Sequence, residues 1–353
     1  MLVVVLKAAI YYGPKQLEIK DVDVPKVGER EILVKVRAVG LCPTDVRIYF
    51  FGSSSVKPPI ILGHEFAGEV VEIGGKVSGL EIGDKVNVPA DAFCGRCKMC
   101  RIGRENLCED PLSFGYNIDG AYAEYVKIPK RFLSRGVIFH LPDNISFEEA
   151  TFVEPVACSI NGVRKAGVEA GKSVVIIGDG PMGLIQVQLS RLFGADSIIL
   201  IGLHDWKLQL AKELGADYII NALHSDPVEE VLNLTDGRGA DSVVVTIGVP
   251  EVIEQGLKMA GKNGFVNIFG GSRKGSTITI DPNILHYYEI CFTGSSGYTF
   301  NDYEFAYKLV VKRKINVKKL ISHKFKLSEL FDAINQFQNK EKSLKIIIEP
   351  TGE

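Results

Sequence analysis

The chain has 353 residues and 46% apolar content, enough for roughly two domains with well-filled cores. Lysine plus arginine (41) nearly balance aspartate plus glutamate (43), a formal charge of -2, so composition excludes a charge-driven nucleic-acid or anionic-membrane binder and leaves a small solute as the expected partner. No apolar stretch approaches the ~20 residues that span a bilayer. The opening MLVVVLKAAIYYG lacks a basic start and a small-residue cleavage site and is broken at Lys7, so it reads as the first β-strand of a soluble, cytoplasmic protein.

From about Ala8 to Pro129, short stretches punctuated by Gly and Pro (LEIKDVDVP, ILVKVRAVG, AGEVVEIG, DKVNVPA, YAEYVKIP) predict an irregular, mostly β domain. After Asp143 the character changes. FEEATFVEPVACSINGVRKAG has helical apolar spacing, and then apolar runs such as SVVIIG, SIILIG, YIIN, DSVVVTIG and FVNIFG alternate with amphipathic segments. Nearly continuous apolar strands are what a parallel sheet needs when helices cover both of its faces, so 155–290 is read as a doubly wound α/β domain. The tail carries two amphipathic helices, NDYEFAYKLVVKRKI and LSELFDAINQFQNK, and a last strand, LKIIIEP. Too small to stand alone, it is expected to rejoin the N-terminal part, which makes 1–154 plus 291–353 the other domain.

Between the first strand and helix of the doubly wound region lies GDGPMG, with Gly178, Gly180 and Gly183 in the GxGxxG register and Pro181 and Met182 between them. The glycines allow a tight turn and close approach of a pyrophosphate to unpaired N–H groups at a helix start. The pattern alone is weak; a strand before it and a helix after it supply the context that it requires. At the end of the second strand, where such domains usually place an acid for the ribose hydroxyls of NAD, this chain has Gly202. Asp205 would serve if the loop folded back, while His204 and Lys207 offer donors or positive charge to a 2′-phosphate. The expected cofactor is NAD or NADP, with the balance toward NADP, and ordinary surface polarity is the competing explanation for these residues.

Seven cysteines in odd number, tightly clustered, without an export signal, point to reduced thiols and metal binding. Cys94, Cys97, Cys100 and Cys108 follow C-x2-C-x2-C-x7-C. Four thiolates close a tetrahedral shell around zinc and leave no position for substrate, so this is a structural site, with an iron–sulfur cluster as the rival. Chemistry has to lie elsewhere. A sparser set consists of Cys42 in LCPTDVR, His64 and Glu65 in LGHEFAGEVV, and Glu154 in TFVEPVA. A thiolate, an imidazole and a carboxylate make an open zinc site. Spacing alone favours bland readings of each: a small buried hydrophobe, a turn histidine, a helix-start acid.

GHE at 63–65 with Gly68, IGDKV at 82–86, the four-cysteine lobe, GAYAEY at 120–125, EP at 154–155 and the glycine loop occur in the order seen in zinc-dependent medium-chain dehydrogenases. The chain resembles that family over essentially its whole length, and is most similar to the branch of sorbitol, threonine and sugar-alcohol-phosphate dehydrogenases. The resemblance implies a GroES-like catalytic domain beside a Rossmann domain with the active site in the cleft, and a homo-oligomer, dimer or tetramer. It implies two zinc ions per chain: a catalytic one on Cys42, His64 and Glu154, with Glu65 behind them or exchanging, and a structural one on the four clustered cysteines. Thr44 matches the hydroxyl that passes on the alcohol proton. The implied reaction moves a hydride between NAD(P) and a secondary alcohol, namely a polyol, a sugar alcohol or its phosphate, or a related hydroxy compound. Threonine 3-dehydrogenase-type activity and a non-catalytic nucleotide-binding zinc protein are the alternatives.

Two positions depart from the family pattern. Arg47 replaces a relay histidine, and a guanidinium does not give up its proton. It suits bidentate contact with a phosphate of cofactor or substrate, against the bland reading of a solvated arginine. In GSSGYTF, Gly297 stands where sorbitol dehydrogenases carry a substrate-binding arginine, although Tyr298 fits a substrate role.

Overall fold

The computed structural model describes residues 5–351; the first four residues of the predicted opening strand lie outside them. The chain divides into two compact units, 1–155 with 299–353, and 156–298.

In the first unit, β1 (Val5–Gly13) and β2 (Gln16–Asp23) form an antiparallel ladder. β3 (Ile32–Gly40) runs to Cys42, which opens helix α1 (Pro43–Phe51); Pro43 supplies the preset φ of a first helical turn. β4 (Glu65–Ile73) pairs antiparallel with β3, and β5 (Lys85–Val88) pairs with β4. β6 (Tyr125–Ile128) adds to β3. Apolar alternation aims Val34, Val36, Phe66, Val70 and Val86 into one core, where Phe114 meets Phe66 edge-on at 5.2 Å and Phe132 at 4.7 Å. Each such ring pair contributes about 0.5–1.5 kcal/mol beyond its buried area.

The helical spacing after Asp143 resolves into a single turn at Phe147–Ala150, capped by Ser146, and then α2 (Val153–Lys165). The second unit follows: β7 (Ser173–Ile177), α3 (Pro181–Leu192), β8 (Ser197–Gly202), α4 (Asp205–Glu213), β9 (Tyr218–Asn221), α5 (Pro227–Leu234), β10 (Ala240–Val245), α6 (Pro250–Met259), β11 (Ala260–Ile268) and β12 (Cys291–Gly294). All six strands are parallel, in the order β9-β8-β7-β10-β11-β12. This is the Rossmann order, whose switch point lies between the first and fourth strands of the unit. β12 pairs with β11, so the unit closes at Tyr298 rather than at the 290 read from sequence.

The tail then rejoins the first unit. α7 (Phe300–Val311) precedes β13 (Ile321–Lys326) and α8 (Leu330–Gln338), and β14 (Lys345–Glu349) inserts between β13 and β3. β13 is partly exposed on both faces and alternates too weakly to stand out in the sequence; pairing with β14 makes it a strand. No helix among the described residues is long and apolar enough to cross a membrane.

Candidate functional site

The four-cysteine lobe is built almost wholly from its own backbone. Cys97 caps the helical turn Lys98–Arg101, its Sγ accepting from Cys100 N at 3.5 Å. Cys94 Sγ accepts from Arg96 N and Cys97 N at 3.5 and 3.4 Å, and Cys108 Sγ from Cys94 N and Asp110 N at 3.2 and 3.4 Å. Amide donors favour thiolate, and those of Arg96 and Cys97 bring Cys94 down to about 6. Burial drives Cys100 the other way, to about 12, so without a cation that thiol keeps its proton. All four sulfurs lie within 4.8 Å of one another, and Cys94 and Cys100 are 3.9 Å apart. Tetrahedral Zn–S bonds of ~2.3 Å put sulfurs ~3.8 Å apart, so the donor set fits one zinc ion and is too tight for a multi-iron cluster.

The second set is assembled across the sheet. Gly40 at the end of β3 pairs with Glu65 at the start of β4, which places Cys42, just past one strand, beside His64, just before the other. Cys42, His64 and Glu65 offer ligand atoms all within 4.8 Å, and His64 and Glu65 are buried. Glu154, at the start of α2, lies outside that group. Its charge nonetheless reaches Lys345, whose buried ammonium donates to Glu65 Oε2. Burial alone would lower the lysine, but Glu65, Cys42 and Glu154 hold it charged. One oxygen of Glu65 is therefore already engaged.

Asp45 is the site residue that motif reading missed, because an acid in a helix's first turn has an ordinary capping explanation. Its buried carboxylate accepts from Tyr122 Oη at 2.8 Å and from Cys42 N at 3.4 Å, and its Oδ1 stands 3.3 Å from His64 Nδ1, too poorly aligned for a hydrogen bond. Burial opposes charge on His64, but Asp45 and then Cys42 outweigh it and push the imidazole well above its ordinary value. With Nδ1 on the Asp45 side, Nε2 is the ring atom left for a metal, and Asp45 acts on the ring through its charge rather than through a hydrogen bond. Burial, then Glu65, raises the Cys42 thiol. A divalent cation would displace these protons and neutralise the crowded anions, so this donor set fits zinc as well. Thr44 is half-buried in the first turn of α1; Arg47 is exposed, and its side chain makes no hydrogen bond or ion pair among the described residues. Tyr298 is buried at the end of the second unit, after Gly297, whose carbonyl accepts from Asn161 Nδ2 at 3.0 Å.

The glycine loop joins β7 to α3, with Gly180 as N-cap and Pro181 opening the helix. A Cβ on Gly183 would lie 1.9 Å from the Gly178 carbonyl oxygen, so only glycine lets helix and strand pack here. Nothing comes within 4 Å of a Cβ built on Gly180, and Met182 flanks this open side, partly exposed. That space before a helix start fits a pyrophosphate. At the end of β8, His204 is half-buried as the N-cap of α4, and Lys207 is buried within the first turn. Asp205 does not fold back: Asn221 Nδ2 holds its Oδ1 at 2.6 Å.

A Rossmann unit, a closed thiol tetrad and an open thiolate–imidazole–carboxylate set define a zinc-binding, dinucleotide-dependent dehydrogenase. Residues 28–142 match the alcohol dehydrogenase GroES-like domain, and residues 181–312 match the zinc-binding dehydrogenase family. The chain is 36% identical to L-threonine 3-dehydrogenase of Pyrococcus horikoshii, the alignment covering 98% of each. It is 32% identical to sorbitol dehydrogenase of Bacillus subtilis, covering 98% of this chain and 97% of that one. A Sinorhizobium meliloti structure described as a zinc-binding dehydrogenase and bound to NADP superposes with a TM-score of 0.90 at 32% identity, covering 98% of this chain and all of the other. The chain belongs to the zinc-dependent medium-chain alcohol dehydrogenases, and is an NAD(P)-dependent oxidoreductase acting on a small-molecule alcohol.

Proposed function

We propose that the protein oxidises a small polar secondary alcohol whose neighbouring carbon bears an amine or a second hydroxyl, the feature shared by L-threonine and open-chain polyols. This reading is supported by the likeness to L-threonine 3-dehydrogenase and sorbitol dehydrogenase together with the Cys42–His64–Glu65 group, in which His64 and Glu65 are buried and Asp45 stands behind them. In it, Cys42, His64 and one carboxylate hold catalytic zinc, and Cys94, Cys97, Cys100 and Cys108 hold a second, structural ion. Glu65 lies in the group but gives one oxygen to Lys345, while Glu154 lies at the start of α2, outside it; Glu154 is proposed as the ligand of the loaded site, with Glu65 exchanging or supporting. When bound, zinc polarises the alcohol oxygen and the dinucleotide takes the hydride.

The chain's own residues do the rest. Asp45 orients His64, Lys345 balances the buried carboxylates, and the Thr44 hydroxyl carries the proton away from the alcohol. Arg47 cannot continue that relay; it binds an anion or stays in solvent. Metal chemistry belongs to the unit of 1–155 with 299–353 and nucleotide binding to that of 156–298, in a homo-oligomer, dimer or tetramer, of the cytoplasm. Neither a nucleic acid nor a membrane is part of this reading. The test is an oxidation screen of zinc-loaded protein with L-threonine, sorbitol, other polyols and polyol phosphates against NAD and NADP. Turnover of one of these, with two zinc ions per chain, is expected; stoichiometric cofactor binding without turnover across the panel defeats the proposal.

A further inference from the structure

Gly202 leaves the end of β8 without a side chain, yet that place is filled. Asp179, the second residue of the glycine loop, reaches into it: a Cβ added at 202 would lie 2.5 Å from Asp179 Cβ and 2.7 Å from its Oδ2. Oδ2 accepts from the backbone N–H groups of Leu203 and His204, both at 2.9 Å, and faces His204 Nδ1 at 2.8 Å. Among the described residues Oδ1 takes no hydrogen bond. The two positions are complementary, since glycine at 202 is what admits the aspartate.

A carboxylate that receives both ribose hydroxyls presents both oxygens to the ligand. Here one oxygen is spent on three donors, and the residue is only 9% exposed. The imidazole is the group left to face a ligand. With Nδ1 anchored on Asp179, Nε2 has no protein partner among the described residues and is the ring atom left to meet a ligand. Lys207 is 3% exposed, stacks its ammonium 5.5 Å from the Trp206 ring centre, and lies within electrostatic reach of Asp179. The other acid at this corner, Asp205, is tied to Asn221.

We propose that Asp179 is a positioning residue that fixes His204 at the end of β8, so that the imidazole, supported by Lys207, binds the 2′-phosphate of NADP. The inference rests on the glycine loop being a dinucleotide site. It is tested by titrating the full-length protein with NADPH and with NADH, followed by energy transfer from Trp206, the chain's single tryptophan. Wild type is expected to bind NADPH about tenfold more tightly than NADH, the effect of roughly one charge-assisted contact. His204→Ala and Asp179→Asn should each bring the two dissociation constants within about threefold by weakening NADPH alone. Asparagine keeps an oxygen for the two backbone donors, so the turn survives while the charge is lost. Equal weakening of both cofactors in Asp179→Asn would make Asp179 a turn former only, and selective loss of NADH would make it the ribose acid. Either result, or a wild type that prefers NADH, overturns the proposal. Binding of neither cofactor by wild type would instead defeat the dinucleotide reading itself.

Discussion

The two thiol-bearing clusters hold ligands for the same kind of ion from opposite starting points. The Cys94–Cys108 lobe takes its four sulfurs from one short segment and steadies them with that segment's own amides. From farther along the chain it draws on Arg135, which donates to the Cys94 carbonyl, and on Arg131, which binds Asp110. The Cys42 group instead joins two strand ends and recruits Tyr122 and Lys345 from remote parts of the first unit. Four like donors saturate an ion and hold the fold; unlike donors set in a buried charge network leave an ion short of ligands and able to take a substrate. On the proposed reading, one cluster is a clamp and the other a reactive centre.

The largest effect that separates them is expected from Cys42→Ser. Turnover should fall by about 10³-fold or more with one zinc ion lost per chain, while the melting temperature moves only a few degrees. Retained activity in that variant would erase the distinction. Cys97→Ser is the converse: loss of the other ion should lower the melting temperature by about 10 °C or more, with turnover surviving in the protein that stays folded at low temperature. Unchanged thermal unfolding there would show that the lobe is no clamp.

Asp45→Asn probes the supporting network. Zinc affinity, read by dialysis against a competing chelator, should drop by about 10–100-fold with the thiol tetrad still loaded. An unaffected affinity would mean that His64 needs no carboxylate behind it. The smallest effect lies outside both clusters, where Lys324 donates to Glu148 and bonds Glu349 at 3.1 Å. Burial works against the Glu148 charge, but Lys324 outweighs it and holds the carboxyl below its ordinary range. A depressed folded value means stability present above the ordinary carboxylate range and lost as pH falls through the folded value. Since the pair is partly exposed, its worth is at most about 1 kcal/mol. Lys324→Met should therefore flatten the acid side of the stability–pH curve slightly while metal content and turnover stay the same.

The sequence by itself determined whatever depends on neighbours along the chain. The thiol tetrad was legible because its donors fall within a few turns of each other, and the parallel sheet because both of its faces are buried and its strands read as unbroken apolar runs. The glycine loop was legible because Gly183 must pass within contact of the Gly178 carbonyl. The tertiary structure alone decided the rest. His64 meets Cys42 only because β3 and β4 pair in the register that sets Gly40 against Glu65, a one-residue slip in which would turn the side chains to opposite faces. Lys345 joins Glu65 only because β14 returns from the far end of the chain to β3, and Asp179 takes the place of a strand-end acid only because two adjacent parallel strands bring the glycine loop over Gly202. Spacing encodes local geometry, whereas these contacts are fixed by strand register and long-range burial, in which each residue type alone has an ordinary explanation.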